Sequence, residues 1–174
     1  MKKLLTFSML LGGFALTSGS AVAQEKKAPP SPRVTVSQVI ASGAEVSIAY
    51  GQPSVKGRTI GKDLEPKPGV IWRAGANEST VLETNNAVKV NGKELAAGKY
   101  SFFVISGEKE WTLILNKTAQ QWGAYDYKEA DDAIRFMATP KKANSFSEKL
   151  TYSIDKSGVV TMNWGEYEVS FTIS

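Results

Sequence analysis

The chain has 174 residues, and removal of the first 23 as a leader leaves 151, the size of one ordinary domain. Hydrophobic residues make up 42% and charged residues 22%, which is typical of a globular protein and excludes a disordered, collagenous or multi-span membrane chain. Histidine and cysteine are both absent, which excludes disulfides, cysteine nucleophiles, histidine-based triads, and zinc or haem sites with nitrogen or sulfur ligands.

The first 23 residues have the pattern of a secretory signal peptide. Lys2 and Lys3 precede an apolar run over residues 4–16, and residues 21–23 (AVA) supply the small residues of a cleavage site. The run is shorter than the roughly 20 residues that span a bilayer, which argues against a membrane anchor. No cysteine follows the cleavage site, so a lipoprotein is not expected. We therefore predict an exported protein, periplasmic or extracellular, with no transmembrane segment after cleavage.

The charge balance does not predict a nucleic-acid partner. The formal net charge of +4 includes Lys2 and Lys3, so the cleaved chain carries 19 basic and 17 acidic residues. No basic run exceeds two residues, whereas nucleic-acid binding needs a basic patch or stripe.

Residues 24–32 (QEKKAPPSP) predict a flexible tether, because they are charged and rich in proline. A single domain is then expected over residues 33–174. Strand patterns begin here, and residues 46–50 and 150–154 alternate apolar with small or polar side chains, the period of a strand with one buried face.

Turn residues and apolar runs predict three hairpins. Asn91-Gly92 tolerates the positive φ angles of a type I′ turn. Residues 100–106 and 111–116 are almost continuously apolar, which predicts a central pair of strands covered on both faces. Residues 159–164 and 168–173 also alternate, and we expect them to form a hairpin that turns at Gly165-Glu166-Tyr167.

The fold class follows from the number and spacing of these strands. Eight to ten short strands about 8–12 residues apart predict an all-β protein, a two-sheet β-sandwich of jelly-roll or Greek-key type. It has one long loop and at most one or two helical turns, for which Thr118–Trp122 and Lys128–Ala133 are the candidates. A closed barrel is the alternative architecture.

The long loop spans residues 51–80, and loops of this length in compact domains are commonly functional. An arginine guanidinium suits a carboxylate or phosphate, and a tryptophan offers a stacking face, so the segment is a candidate site for an acidic ligand or a sugar. Its candidate binding residues are Lys56, Arg58, Trp72, Arg73, Asn77 and Glu78.

Two other interpretations of this loop stay open. Arg58 or Arg73 pairs with Glu78 in a purely structural ion pair that holds the loop on the sandwich. Alternatively, Lys56 buried beside Asn77 and a protonated Glu78 supplies the groups for a spontaneous Lys–Asn cross-link, since burial lowers a lysine pKa and raises a glutamate pKa.

A second candidate surface is the aromatic cluster at residues 122–127 (WGAYDY). Trp122 and Tyr125 are its candidate binding residues, because exposed aromatic faces beside carboxylates suit a sugar ligand. The alternative is that these side chains fill the core of the sandwich. No metal site is predicted, since the acidic residues nearby match no calcium-loop spacing.

Several motifs occur together in a distinctive order: YGQPSVKGRTI (50–60), WRAGANEST (72–80), LAAGKY (95–100), EWT (110–112), NK (116–117) and WGAY (122–125). Over about residues 32–173 the chain resembles the secreted bacterial family called domain of unknown function 2911, which is typical of Bacteroidota. The resemblance implies an exported, β-rich protein and supplies no activity or catalytic residues. The chain departs from the family pattern over Gly61–Val70, where members often carry an aromatic residue and a Val-Pro-Tyr, so a pocket walled by those aromatics is altered.

These patterns predict a non-enzymatic binding or envelope-associated domain that uses the Lys56–Glu78 region. The expected partner is a carbohydrate or cell-envelope component, no cofactor is expected, and the oligomeric state stays open. One alternative is a hydrolase of glycans or envelope polymers, with Glu78 and a second carboxylate about 5–9.5 Å away as the acid–base pair. The candidates for that second carboxylate are Asp126, Glu129, Asp131 and Asp132. Another alternative is a purely structural or assembly protein, with every tryptophan buried and no cleft.

Overall fold

The computed structural model describes residues 31–174, so the predicted signal peptide and most of the predicted tether lie outside the described residues. Residues 31–174 contain eleven strands and one turn of 3-10 helix, Glu129–Asp131. The strands are β1 (Arg33–Val39), β2 (Glu45–Gly51), β3 (Ile71–Trp72), β4 (Thr80–Thr84), β5 (Val88–Val90), β6 (Lys93–Leu95), β7 (Gly98–Ile105), β8 (Trp111–Asn116), β9 (Asp132–Ala138), β10 (Lys141–Ile154) and β11 (Val159–Thr172).

Seven of these strands form one antiparallel sheet. Six lie side by side in chain order, β1-β2-β4-β7-β8-β9, and the short β3 pairs with the end of β7. The β7–β8 hairpin is therefore central, as its continuous apolar pattern predicts. β1 and β9 are the edges of an open sheet, and its connections form a meander rather than a Greek-key or jelly-roll crossing.

The second layer is the long β10–β11 hairpin, which packs across the inner face of the large sheet. The Tyr152 ring in β10 lies 4.7 Å from that of Tyr50 in β2 and 6.3 Å from that of Phe102 in β7. The Phe171 ring in β11 lies 5.7 Å from that of Phe102 and 5.3 Å from that of Phe136 in β9. Two β layers with a shared aromatic core confirm the predicted all-β sandwich.

The predicted third hairpin is wrong. The chain does not turn at Gly165-Glu166-Tyr167 but continues as one 14-residue strand, β11, along β10. Buried side chains occupy even positions up to Trp164 and odd positions from Val169 onward. Gly165 has a φ of +60°, and the pairing is irregular on both sides of its partner Ser147. A left-handed glycine at such an irregularity breaks the alternation of the pleat, so the shift of the buried positions here reflects a bend within one strand.

The Asn91-Gly92 hairpin is confirmed. β5 and β6 pair across it, and the two residues have φ angles of +45° and +80°, as a type I′ turn requires. Asn91 also fastens the hairpin to β11, since its backbone N–H donates to the Thr172 carbonyl at 2.9 Å and its Oδ1 accepts from the Thr172 N–H at 2.9 Å.

Helical structure is minimal in the described residues. Of the two predicted turns, the one within 128–133 forms a 3-10 turn, and residues 118–122 are not helical. Nowhere in residues 31–174 is there a helix with the length and apolarity needed to cross a membrane.

Residues 117–131 cover the outer face of the large sheet between β8 and β9. Phe103 and Ile114 point to this face and are fully buried, with the Tyr127 ring 5.1 Å from that of Phe103. The buried Asn116 side chain fixes the segment, because Nδ2 donates to the Lys128 carbonyl at 3.0 Å and Oδ1 accepts from the Thr118 N–H at 3.0 Å. The aromatic cluster is thus carried by a segment that is anchored at both ends.

Candidate functional site

The WRAG part of the long loop is tied firmly to the sandwich. Trp72 in β3 is 3% exposed, and its Nε1–H donates to the Gly75 carbonyl at 3.1 Å. The Ala74 carbonyl accepts from Thr80 Oγ1 at 2.9 Å and from the Tyr152 hydroxyl at 2.8 Å. These bonds hold Ala74 at a φ of +53°, a conformation that a non-glycine residue keeps only when its surroundings fix it. Trp72 is therefore an anchor, and its predicted role as an exposed stacking face is wrong.

The end of this loop pairs with the aromatic cluster. The Ser79 N–H donates to the Gln121 carbonyl at 2.9 Å, and the Gly123 N–H donates to the Asn77 carbonyl at 3.0 Å. These two bonds frame an isolated antiparallel bridge between Glu78 and Trp122. The structure thereby joins two candidate surfaces that are far apart in the sequence.

A cleft of about 360 Å³ opens at this junction, and we call it the Trp122 cleft. Trp122 is 62% exposed, so its indole is available to a ligand. The residues that line the cleft are Arg33, Glu78, Ser79, Val81, Gln120, Gln121 and Trp122.

Gln121 lines the cleft and has one buried polar atom without a partner among the described residues. Its Nε2 donates to the Thr118 carbonyl at 2.9 Å and to Asn116 Oδ1 at 3.3 Å, which fixes the orientation of the amide. Its Oε1 is buried and has no hydrogen-bond partner among the described residues. A buried acceptor left without a donor is unfavourable, and a ligand donor reaches it only if the cleft lining shifts.

An ion pair at the cleft supplies further polar groups. Arg33 Nη1 lies 3.4 Å from Glu78 Oε2 and donates to the Ser79 carbonyl at 3.1 Å. Both charged side chains are partly or largely exposed, so the pair contributes little to stability and its remaining donors and acceptors face solvent. The expected structural pair of Glu78 with Arg58 or Arg73 is wrong, because Arg33 from β1 takes that place.

Lys56 and Arg58 lie elsewhere on the loop. Lys56 is exposed at a φ of +48°, and its backbone N–H donates to Glu148 Oε1 at 2.8 Å. Arg58 turns back on its own loop, with Nη2 donating to the Ser54 carbonyl at 2.8 Å and Nε to the Val55 carbonyl at 3.1 Å. Lys56 therefore ties the loop to β10, Arg58 fastens it locally, and neither residue lines the Trp122 cleft.

The groups required for a Lys–Asn cross-link are not buried. Lys56, Asn77 and Glu78 are all exposed, and the Asn77 Nδ2 donates to the Ser31 carbonyl at 3.2 Å. The cross-link hypothesis is therefore wrong, because its mechanism depends on burial to shift the lysine and glutamate pKa values.

The two candidate residues of the aromatic cluster are on the surface. Trp122 is 62% exposed and Tyr125 is 85% exposed, so the alternative in which they fill the core is wrong for both. Tyr125 is not among the residues that line the Trp122 cleft. Tyr127, by contrast, packs on the outer face of the sheet.

Two of the acidic residues that follow the cluster, Glu129 and Asp132, belong to a separate ion-pair network. Arg135 Nη1 lies 2.8 Å from Glu129 Oε1, and its Nε lies 2.8 Å from Asp132 Oδ2. Among the described residues that line the Trp122 cleft, Glu78 is the one carboxylate. Nor do the described residues bring three or more acidic side chains together in a group that would hold a metal ion.

Tyr127 is expected to make stability fall at alkaline pH. Its hydroxyl donates to Asp132 Oδ2 at 2.8 Å and accepts from Arg135 Nη2 at 3.1 Å. Burial, helped by the Asp132 hydrogen bond, raises the pKa of Tyr127 from 10.0 to about 12. Because the folded state binds this proton more tightly, the stabilisation is complete below about pH 10 and is lost as the pH rises to about 12.

We therefore expect Tyr127→Phe to lower the free energy of unfolding by about 1 kcal/mol at pH 8. The difference between variant and native protein should shrink between pH 10 and pH 12, measured by urea denaturation at a series of pH values. Tyr152, whose pKa burial also raises, is present in both proteins and cancels from the difference. A difference that stays constant across this range would contradict the assignment.

Arg33 and Gln121 are among the cleft residues that were not predicted from the sequence. Arg33 begins an edge strand and Gln121 precedes the aromatic cluster, and neither position carries a local signal of function. Arg73, which sequence reasoning named, lines a different cavity of about 210 Å³ that we call the Arg73 cavity. It includes Arg58, Leu64, Glu65, Trp72, Arg73 and Trp164 in its lining.

The comparisons with known proteins give a family and no assigned activity. A family model described as "Protein of unknown function (DUF2911)" matches residues 31–173. No curated protein and no solved structure matches the chain. The match covers every strand of the sandwich and both cavities described above.

Proposed function

The chain belongs to the DUF2911 family, whose description assigns no function, and from that premise we propose that it is a non-enzymatic domain that binds carbohydrate in the Trp122 cleft. The observation that carries this proposal is the exposed Trp122 indole in a cleft that the accessible Arg33–Glu78 ion pair also lines. A sugar ring has an apolar C–H face that packs on an indole and hydroxyl groups that hydrogen-bond to charged side chains.

The surroundings of Trp122 support the same ligand class. Binding sites for small molecules combine an apolar or aromatic wall with a few fixed polar groups. Here the polar groups are those of the Arg33–Glu78 ion pair, which offer both donors and acceptors to hydroxyl groups. The volume of about 360 Å³ accommodates one or two sugar rings of a longer chain.

The two alternatives have less support. Hydrolysis by paired carboxylates needs a second acidic group across the cleft. Glu129 and Asp132 are engaged with Arg135, and none of the four candidates, Asp126, Glu129, Asp131 and Asp132, lines the cleft. A purely structural protein has no need of an exposed tryptophan at the rim of a polar cleft, and Trp122 is such a residue.

Export is part of the proposal. The predicted leader over residues 1–23 would deliver the domain to the periplasm or cell surface of a Bacteroidota-type bacterium, where envelope polysaccharides are available. The ligand is then a carbohydrate of the cell envelope or of the surroundings.

Loss of binding in Trp122→Ala tests the proposal. The purified protein would be titrated by calorimetry with muropeptides and with chitin, xylan, mannan and cellulose oligosaccharides. We expect at least one of these to bind, and Trp122→Ala to weaken its binding about tenfold or more, equivalent to about 1.4 kcal/mol. Phe146→Ala, an aromatic residue of β10 that is 57% exposed and does not line the cleft, is the matched control and should bind like the native protein. Binding that survives in Trp122→Ala, or no binding by any of these probes, would refute the proposal.

A further inference from the structure

We propose that the Arg73 cavity is a second binding site, specific for an oxyanion, either a carboxylate or a phosphate group. It shares no lining residue with the Trp122 cleft within the described part of the chain. The inference therefore goes beyond the proposed carbohydrate site and stands or falls separately.

The Arg73 guanidinium has no partner in the described part of the chain. Its Nε is buried without a hydrogen bond, and Arg73 takes part in none of the five ion pairs formed within residues 31–174. Arg73 as a whole is half-buried, so the unfavourable desolvation concerns the buried Nε–H. The rest of the guanidinium is free to bind a ligand with two oxygens, since its fork matches a carboxylate or phosphate.

A second guanidinium lines the same cavity. Arg58 is held by its bonds to the Ser54 and Val55 carbonyls, which use Nη2 and Nε. Its Nη1 carries two further N–H donors. Arg58 and Arg73 thus place two positive charges around one small cavity.

The one carboxylate in the cavity lining does not neutralise these charges. Glu65 Oε2 accepts from the Lys67 backbone N–H at 2.7 Å, which directs the carboxylate to its own turn. Among residues 31–174, no nitrogen of either arginine lies within 4 Å of a Glu65 oxygen. The cavity therefore keeps a net positive charge.

Two indoles make the walls of the cavity rigid. Trp164 is 1% exposed and its Nε1–H donates to the Glu65 carbonyl at 2.8 Å. Trp72 is bonded in the same way to the Gly75 carbonyl at 3.1 Å. A site whose walls are already fixed loses little conformational entropy when a ligand binds.

The volume limits the ligand to a small molecule or a single group. The cavity of about 210 Å³ is only moderately larger than a 150 Å³ cavity that holds benzene. This size suits a sugar acid such as a uronate, or a phosphate group, and excludes a long polyanion from the interior.

Calorimetry with sodium glucuronate, inorganic phosphate and glucose tests the proposal on the purified protein. We expect glucuronate or phosphate to bind and uncharged glucose not to bind in this cavity. Glucuronate alone would identify a sugar-acid site, and phosphate alone a phosphate site. Absence of binding by both anions at millimolar concentration would overturn the proposal.

Variants connect the binding to Arg73. Arg73→Gln should weaken anion binding at least tenfold, and Arg73→Lys should weaken it less, because the charge remains but the fork is lost. Lys62→Gln removes an equal charge from an exposed site on the same loop and should leave binding within twofold. If Arg73→Gln fails to fold, Arg58→Gln serves as the second variant. The proposal would be overturned if the folded variant, Arg73→Gln or Arg58→Gln, bound the anion as tightly as the native protein does.

The four tryptophans allow the two sites to be told apart. In ¹H–¹⁵N spectra assigned with Trp→Phe variants, an anion in the Arg73 cavity should shift the indole signals of Trp72 and Trp164 more than that of Trp122. Trp122→Ala should retain anion binding, so failure of the carbohydrate proposal does not imply failure of this one. An anion that shifts only the Trp122 signal would contradict the assignment.

Discussion

Trp164→Ala is expected to lower the free energy of unfolding by about 3–5 kcal/mol, because it removes the largest fully buried side chain of the sandwich. The loss combines the transfer of the indole from water with the cavity left behind. The variant also frees the Glu65 carbonyl, which accepts from the indole N–H at 2.8 Å and ties residues 61–68 to β11. Guanidinium denaturation with linear extrapolation measures the change.

Two variants separate the contributions at this position. Trp164→Phe keeps most of the apolar volume but leaves the Glu65 carbonyl without its donor, and we expect a loss of about 1–3 kcal/mol. Trp122→Ala removes the same side chain from an exposed position and should change stability by less than about 0.5 kcal/mol. If Trp164→Ala were no more destabilising than Trp122→Ala, the assignment of Trp164 to the core would be wrong.

Gly51→Ala is expected to destabilise the protein by about 3 kcal/mol and to displace the loop that contributes residues to both proposed sites. Gly51 ends β2, and a Cβ atom there would overlap the Ala76 carbonyl oxygen and lie 2.9 Å from its carbonyl carbon. The two backbones also share a hydrogen bond, from the Ala76 N–H to the Gly51 carbonyl at 3.1 Å. Because the obstacle is backbone, it cannot be relieved by a change of rotamer.

Gly57→Ala is the matched control for this clash. Gly57 lies on the same loop at a φ of +70°, and a Cβ atom there meets nothing within 4 Å. Gly57→Ala should therefore lower the free energy of unfolding only by the strain of a left-handed alanine, about 1–2 kcal/mol. We also expect Gly51→Ala, unlike Gly57→Ala, to weaken ligand binding. If the two variants were equally stable, the Ala76 backbone would move away from the new Cβ atom without further loss of stability, and the predicted clash would be wrong.

The strands that sequence reasoning located correctly are those with a strong local pattern. The alternation over residues 46–50 reappears as the buried and half-buried faces of β2. The Asn91-Gly92 turn was predictable because its residues must adopt positive φ, whatever surrounds them. The continuous apolar runs of β7 and β8 were predictable as central strands because both of their faces are covered.

The error at β11 has a different origin. A change of phase in an alternating pattern is compatible both with a turn and with a bend inside one strand, and Gly165 permits either. Pairing with β10 favours the bend over the turn, because β10 is as long as β11 and pairs with it on both sides of Gly165. A partner strand is a non-local feature, so local periodicity could not resolve the ambiguity.

For the candidate sites, sequence reasoning identified the residue types better than their roles. Glu78 and Trp122 were both named, but their pairing depends on a bridge between distant segments. Trp72 and Trp122 look equally suited to stacking, yet one is 3% and the other 62% exposed. Arg33 was missed because only the position of β1 at the edge of the sheet brings it to Glu78.

The sequence by itself determined the all-β class, the short turns and the exclusion of histidine and cysteine chemistry, since these depend on residue identity and on neighbours a few positions away. Only the tertiary structure decided which arginine pairs with Glu78, which tryptophan is buried, and that Arg73 and Trp122 belong to different cavities. The physical reason is that burial and ion pairing depend on segments that the fold brings together. In this sandwich those segments, β1, the long loop and residues 117–131, are widely separated along the chain.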